Sequence, residues 1–171
     1  MAGNNTRVNI LVEGQTEETF VNRMLVRHLA NFQVWLTPHP YQQGPSRRCG
    51  QLRTNLPSGT HLVPTGQYGT GYLQLHEYEA LLFSDLEAFR YADVPTRTIN
   101  SWQAQLATFA GPEDVNNSRQ TAPSKRLIAG WPRYEHAKPQ FGVLVAERIG
   151  LPTIRAKCPR FNDWISRLEA L

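Results

Sequence analysis

Residues 8–20 read VNILVEGQTEETF, and this stretch decides how the chain begins to fold. Its first five residues are mostly apolar and β-branched, which predicts a buried strand. Gly14 then permits a sharp turn, and Thr16 is placed to cap an amphipathic helix that includes Phe20. Glu13 therefore stands where a buried strand ends, which is the position at which open α/β sheets bind ligands.

The three acidic residues of this stretch have two interpretations. Glu17 and Glu18 fall in the first helical turn, where the helix dipole favours negative charge. That role explains Glu18 well, and Glu17 fits either interpretation. A carboxylate at the end of an apolar strand loses hydration unless something pairs with it. For Glu13, a metal ion or a substrate proton would be such a partner.

A second strand is predicted at residues 32–37, where apolar and polar residues alternate. It would close a β-α-β unit with a parallel strand pair, and Pro38 and Pro40 would end it. Residues 41–71 then lose all periodicity and are rich in glycine and proline. A loop of this length is unusual within a compact domain.

Chemistry-bearing residues follow a predicted short strand at residues 72–75. His76 could ligate a metal, orient a carboxylate or transfer a proton, or it could be an ordinary hydrogen-bonded edge residue. Glu77 and Glu79 would point the same way in a strand but would diverge by about 200° in a helix. If the short strand lies parallel to the first strand, either carboxylate could meet Glu13.

The rest of the chain is predicted to be mainly helical. Ser84 is placed to cap a short helix at residues 85–89. Further helices are predicted at residues 98–110, 141–149, 153–157 and 159–171, with Gly150 ending the second of these. Trp131 and Trp164 are expected in the core.

Residues 121–126, TAPSKR, predict a helix start with Pro123 in the first turn. Free amides, the Ser124 hydroxyl and the cations Lys125 and Arg126 would converge there on an anion. The alternative is a surface helix with two solvated cations. Lys138 is a second candidate cation.

Length and composition limit the class of protein. The 171 residues fit one domain, 1–171, with 40% hydrophobic residues. No apolar run approaches the roughly 20 residues of a membrane span, and the N-terminus lacks a signal core. Cys49 and Cys158 are too few for a disulfide framework or a zinc site. These features predict a cytoplasmic protein that does not bind membranes.

The net charge of +4 is unevenly distributed. Residues 72–118 hold two basic and seven acidic residues, whereas residues 1–71 hold six and three, and residues 119–171 hold ten and four. An acidic centre between basic arms suits a metal-dependent enzyme that acts on phosphodiesters. Ordinary solvated faces also produce such blocks.

The motif VEGQTEE after an apolar strand resembles the opening of Toprim-type domains, found in topoisomerases, primases and overcoming-lysogenization-defect nucleases. More closely, the chain resembles the Toprim-related family of domain of unknown function 4276 (DUF4276). The matching segments are residues 9–20, 73–83, 121–126 and 146–171. This resemblance implies an α/β fold, with a Toprim-like parallel sheet at the N-terminus and a largely helical C-terminal half.

The resemblance also implies a function. The implied function is that of a magnesium-dependent nuclease of a bacterial phage-defence module. Such a nuclease would hydrolyse DNA or RNA together with a partner ATPase of the ABC or AAA type. The catalytic residues would be Glu13, Glu17 and His76. Mg²⁺ or Mn²⁺ would be held by Glu13, Glu77 and Glu79. Phosphates would be bound by Ser124, Lys125, Arg126 and Lys138.

One departure from the family pattern supports a different function. Relatives usually carry a further helix and a strand ending in an Asp motif, but here the first aspartate is Asp85. We therefore expect an internal deletion or gap within residues 41–71. The alternative function is that of a catalytically degenerate Toprim-like domain with an interaction or regulatory role.

Two geometric expectations test the nuclease hypothesis. The Glu13 carboxylate should lie roughly 4–6 Å from that of Glu77 or Glu79, because the ligands of one cation must converge. Lys125, Arg126 and Lys138 should face the same cleft as Glu13.

Overall fold

The computed structural model describes residues 6–40, 77–115 and 120–171. The deletion expected within residues 41–71, the strand expected at 72–75 and the candidate His76 lie outside these ranges.

The N-terminal segment forms the predicted β-α-β unit. Strand β1 (Thr6–Val12) is followed by helix α1 (Gln15–Phe20), a π-helical turn (Val21–Leu25), helix α2 (Val26–Ala30) and strand β2 (Val34–Pro40). The strands pair in parallel, from Thr6 opposite Val34 to Val12 opposite Pro40. The predicted parallel pair is therefore confirmed.

The ends of two of these elements differ from expectation. Helix α1 is capped at Gly14 rather than at Thr16. The Glu17 carboxylate reaches back to accept the Gly14 N–H at 3.1 Å, which satisfies a backbone donor that lies outside the helix. Strand β2 continues through Pro38 and Pro40 instead of ending before them. A proline is tolerated in a strand where its missing N–H is not needed by the neighbouring strand.

The described residues from 77 onward are largely helical. The α-helices are α3 (Glu79–Leu82), α4 (Thr96–Leu106), α5 (Pro123–Gly130), α6 (Arg133–His136), α7 (Lys138–Ile149), α8 (Leu151–Lys157) and α9 (Pro159–Glu169). Two 3₁₀ segments occur at Leu86–Ala92 and Pro112–Asp114. The expected fold class, a parallel sheet at the N-terminus with a largely helical C-terminal half, is confirmed.

Helix boundaries in this half follow local chemistry. Asp85, not Ser84, caps the first 3₁₀ segment, because its carboxylate accepts the Glu87 N–H at 2.9 Å. Ser84 is instead buried, with its hydroxyl 3.4 Å from the Cys158 sulfur. Gly150 ends α7 as predicted, at a φ of 80° that disfavours other residues.

Helix α7 lies at the centre of the fold, in contact with both α1 and α3. Its Gly142 accepts a hydrogen bond from the Tyr78 hydroxyl at 3.0 Å. A Cβ at position 142 would lie 3.2 Å from the Tyr78 ring, so glycine allows this close approach. Trp131 is buried as predicted, whereas Trp164 is only partly buried against the core.

Among the described helices, none combines the length and the apolar composition that crossing a bilayer would require.

Candidate acidic site

A cavity of about 300 Å³ lies where β1 ends, and we call it the acidic cavity. Three acidic residues, Glu13, Glu17 and Glu77, line it. Its other walls are apolar or aromatic, with contributions from β1, the first helix, the start of α3 and α9. Three acidic residues thus line one small, largely apolar space.

Glu13 and Glu17 form the β1 side of the acidic cavity. Glu13 is exposed directly after the strand, and Glu17 lies in the first turn of α1. Burial raises the pKa of Glu17, and the negative charge of Glu13 raises it further. Backbone N–H groups of the helix start and the Lys138 charge oppose this rise in pKa. A cation or a proton would relieve the repulsion between the two carboxylates.

Glu77, just before α3, also lines the acidic cavity, and its carboxylate is bound to the start of another helix. Its carboxylate accepts the Ser124 N–H at 2.7 Å, in the first turn of α5. The amide that was expected to bind a phosphate therefore already serves a carboxylate of the protein. The Ser124 residue itself is buried.

Glu79 does not line the acidic cavity. It opens α3, is only 4% exposed and accepts a hydrogen bond from the Tyr134 hydroxyl at 3.1 Å. Burial raises the pKa of Glu79, while Lys138, with its Nζ 4.0 Å from Glu79 Oε1, opposes this rise. Of the three expected metal ligands, the structure thus brings Glu13 and Glu77 to one cavity and places Glu79 apart from it.

The donor chemistry of the acidic cavity suits a hard cation. Within residues 6–40, 77–115 and 120–171, no three His, Cys, Asp or Glu side chains are grouped closely enough to hold a metal ion. Mg²⁺, however, is commonly held by one or two carboxylates, with water and substrate phosphate completing its shell. Glu13 and Glu17 fit that smaller requirement, because their charges act on each other in a cavity with room for water.

The expected phosphate-binding cations do not converge on the acidic cavity. Lys138 lies near the buried acids, where its charge acts on both Glu17 and Glu79. Lys125 and Arg126 line a separate groove between α4 and α5. The first turn of α5 lies between the acidic cavity and this groove. Its Ser124 amide is bound to Glu77, whereas Lys125 and Arg126 line the groove.

Sequence patterns did not identify two tyrosines that lie in this region. Tyr78, between Glu77 and Glu79, is buried against α7, and burial raises its pKa well above the ordinary value. Burial also raises the pKa of Tyr134, and the nearby charge of Glu79 adds to the effect. Tyr134 lies in the four-residue helix α6, a segment too short for periodicity to indicate a buried side.

The fold and this site define an α/β protein with an acidic cavity at the end of a parallel strand. The family model described as Domain of unknown function (DUF4276) matches residues 69–169, more than half of the chain. The chain belongs to the DUF4276 family. Comparison with curated proteins and with solved structures gives no match. The family match does not include residues 8–20, so the Toprim resemblance stays a prediction.

Proposed function

We propose that this protein is a hydrolase that cleaves phosphodiester bonds of nucleic acid with Mg²⁺ or Mn²⁺. The observation that carries the proposal is the acidic cavity, where Glu13, Glu17 and Glu77 meet at the end of a parallel strand. The ends of parallel strands are the usual place for ligand sites in α/β proteins.

In this proposal, Glu13 and Glu17 have different roles. The exposed Glu13 carboxylate is the first ligand for the cation, which would neutralise charge on the phosphate and polarise it. Glu17 is the candidate for proton transfer, because its raised pKa keeps it protonated closer to neutral pH than an ordinary glutamate. Its contact with the Gly14 N–H fixes its side chain at the entrance to α1.

Residues around the two carboxylates have supporting roles. Glu77 faces the acidic cavity and, through the Ser124 N–H, joins the cavity to α5. The positive charge of Lys138 acts on Glu17 and Glu79, where it opposes the rise in pKa of both carboxylates. We therefore assign Lys138 to the electrostatic balance of the acids rather than to a phosphate.

A second candidate function is a binding role without catalysis, as an interaction or regulatory component. It is favoured by the absence of a three-ligand metal group among the described residues and by the apolar walls of the acidic cavity. In that case, the cavity would receive an apolar side chain of a partner protein. A cationic side chain of the same partner would pair with Glu13 or Glu17.

The biological setting that we propose is a bacterial, cytoplasmic phage-defence module with an ABC- or AAA-type ATPase as partner. Its support is the resemblance of residues 12–18, VEGQTEE, to the opening motif of Toprim-type domains, which occur in overcoming-lysogenization-defect nucleases. Co-purification of the chain with an ATPase encoded beside it would test this setting.

The activity is tested by nicking of supercoiled plasmid in Mg²⁺ or Mn²⁺, with EDTA as the blank. We expect Glu17→Gln to lower the rate by at least about 100-fold, the usual scale for a lost catalytic acid or base. Glu18→Gln is the matched control, because Glu18 lies in the same helical turn but does not line the acidic cavity. Equal nicking by both variants would contradict the site, and no nicking by the wild-type protein would favour the interaction role.

A further inference from the structure

The groove between α4 and α5 has a volume of about 490 Å³, and we call it the basic groove. Arg97 at the start of α4 and Lys125 and Arg126 at the start of α5 supply its cations. Its other lining residues in the described parts of the chain are uncharged and include hydroxyl and amide side chains, such as those of Thr98, Ser101 and Gln120.

Carboxylates of the described residues do not neutralise the charges of the basic groove. Arg97 and Lys125 are exposed, and neither forms an ion pair with any residue that the structure describes. Five arginines elsewhere in those parts of the chain are paired with carboxylates: Arg23, Arg90, Arg155, Arg160 and Arg167. The basic groove thus presents uncompensated positive charge, which attracts anions.

Arg126 is held in place on the groove wall by neutral partners. Its Nε–H donates to the Thr121 carbonyl at 2.8 Å, and a terminal N–H donates to Gln105 Oε1 at 3.2 Å. The guanidinium carbon also lies 5.5 Å from the centre of the Phe109 ring. These contacts fix the side chain without cancelling its charge, so an anion would bind without first ordering it.

The form of the basic groove favours an extended phosphate chain over a base. Among the described residues that line it, Trp102 is the one aromatic residue, and it is buried with its indole N–H bound to the Arg126 carbonyl at 3.1 Å. The described lining therefore offers no exposed ring for the stacking that base recognition on single strands uses. Cations on two different helices are suited to successive phosphates of one backbone.

We infer that the basic groove binds the sugar-phosphate backbone of a nucleic acid, and that the bound strand continues past the first turn of α5 to the acidic cavity. The geometric basis is that turn, where the Ser124 amide contacts Glu77 while Lys125 and Arg126 face the groove. This inference rests on the proposed function, and it names the part of the protein that holds the substrate next to the scissile phosphodiester bond.

The test is binding of a fluorescein-labelled 20-nucleotide DNA duplex, measured by anisotropy at several salt concentrations in EDTA, where metal-dependent cleavage does not occur. The double variant Arg97→Gln/Lys125→Gln should bind more weakly, with a slope of log affinity against log salt that is smaller by about one to two units. Arg27→Gln/Lys157→Gln is the matched control, since it removes the same charge from two exposed, unpaired cations outside the groove. The control should keep the wild-type slope.

Three outcomes would overturn the inference: the same change of slope in both double variants, an unchanged slope in the groove variant, or no salt-dependent binding by the wild type. Competition with adenosine monophosphate adds a fourth, because displacement of the duplex at equal phosphate concentration would indicate a small-anion site. Plasmid nicking is scored separately. Groove-dependent binding without nicking would reject the hydrolase and leave the basic groove supported.

Discussion

The Tyr134 hydroxyl donates a hydrogen bond of 3.1 Å to the Glu79 carboxylate, across 55 residues of sequence and inside the core. Both residues are buried, at 0% and 4% exposure. A buried carboxylate is tolerated only when polar or charged partners compensate it, and the same oxygen, Oε1, also lies 4.0 Å from Lys138 Nζ. This contact joins α3 to α6 beside the candidate site.

Tyr134→Phe should therefore destabilise the protein. The variant leaves Glu79 buried with one partner fewer, which costs about 1–3 kcal/mol of unfolding free energy. Urea unfolding measures the change. Tyr91→Phe makes the same chemical change at a residue that is 60% exposed, and it should have little effect. Similar unfolding midpoints for the two variants would contradict the role given to Tyr134.

The pKa of Glu79 makes stability depend on pH. Burial raises this pKa above the ordinary value of 4.5, so the folded chain holds a proton that the unfolded chain releases. Stability from Glu79 is thus complete below the unfolded pKa and is lost as pH rises through the folded pKa. Lys138, Glu77 and Tyr134 are the charged or titratable groups that act on it.

Glu79→Gln should remove this dependence while keeping an acceptor for Tyr134. In urea unfolding from about pH 4 to about pH 8, the wild type should lose stability relative to the variant as pH rises. Glu87→Gln is the control, because the Arg90 contact lowers the pKa of the exposed Glu87. The difference in unfolding free energy between Glu87→Gln and the wild type should change with pH only toward acid pH. A constant difference for Glu79→Gln would show that the carboxylate is not buried as described.

Glu113 should be a structural residue despite its charge. Its carboxylate accepts the N–H groups of Arg160 and Phe161, at 2.9 and 2.8 Å, at the start of α9. Glu113→Ala leaves these donors without their acceptor and should cost about 1–3 kcal/mol. The neighbouring Asp114 is exposed and pairs with Arg160 at 3.0 Å, so Asp114→Ala should cost at most about 1 kcal/mol. Thermal or urea unfolding compares the two variants. Equal losses of stability would contradict the capping role of Glu113 at the start of α9.

Gly130 should not tolerate a larger residue. A Cβ there would lie 2.7 Å from both Thr98 Cγ2 and Trp102 Nε1, where α4 packs on α5. Gly130→Ala should therefore push the helices apart at a cost of about 1–3 kcal/mol. At Gly111 the nearest contact of a Cβ is an ordinary 3.5 Å, so Gly111→Ala should be neutral or slightly stabilising. Unfolding midpoints decide this, and unchanged stability in Gly130→Ala would show that the two helices are not tightly packed.

Local sequence was sufficient for the elements whose signals are local. Apolar β-branched residues followed by Glu13-Gly14 predicted β1 and the helix after it, and Gly150 marked the end of α7. Caps were less predictable, because several side chains can compete for one backbone donor. Asp85 therefore replaced Ser84, and Glu17 bound the Gly14 N–H although Thr16 had been expected to cap the helix.

Sequence alone determined the candidate acids, the parallel strand pair and the helical character of the second half, since each depends on residue type and short-range periodicity. Only the tertiary structure decided which charges share a site. Glu77 and Glu79 are two residues apart, yet the start of α3 leaves Glu77 at the acidic cavity and turns Glu79 into the core. Lys125 and Arg126 face the basic groove for the same reason. A helix turns about 100° per residue, and the packing of its neighbours determines what each direction meets.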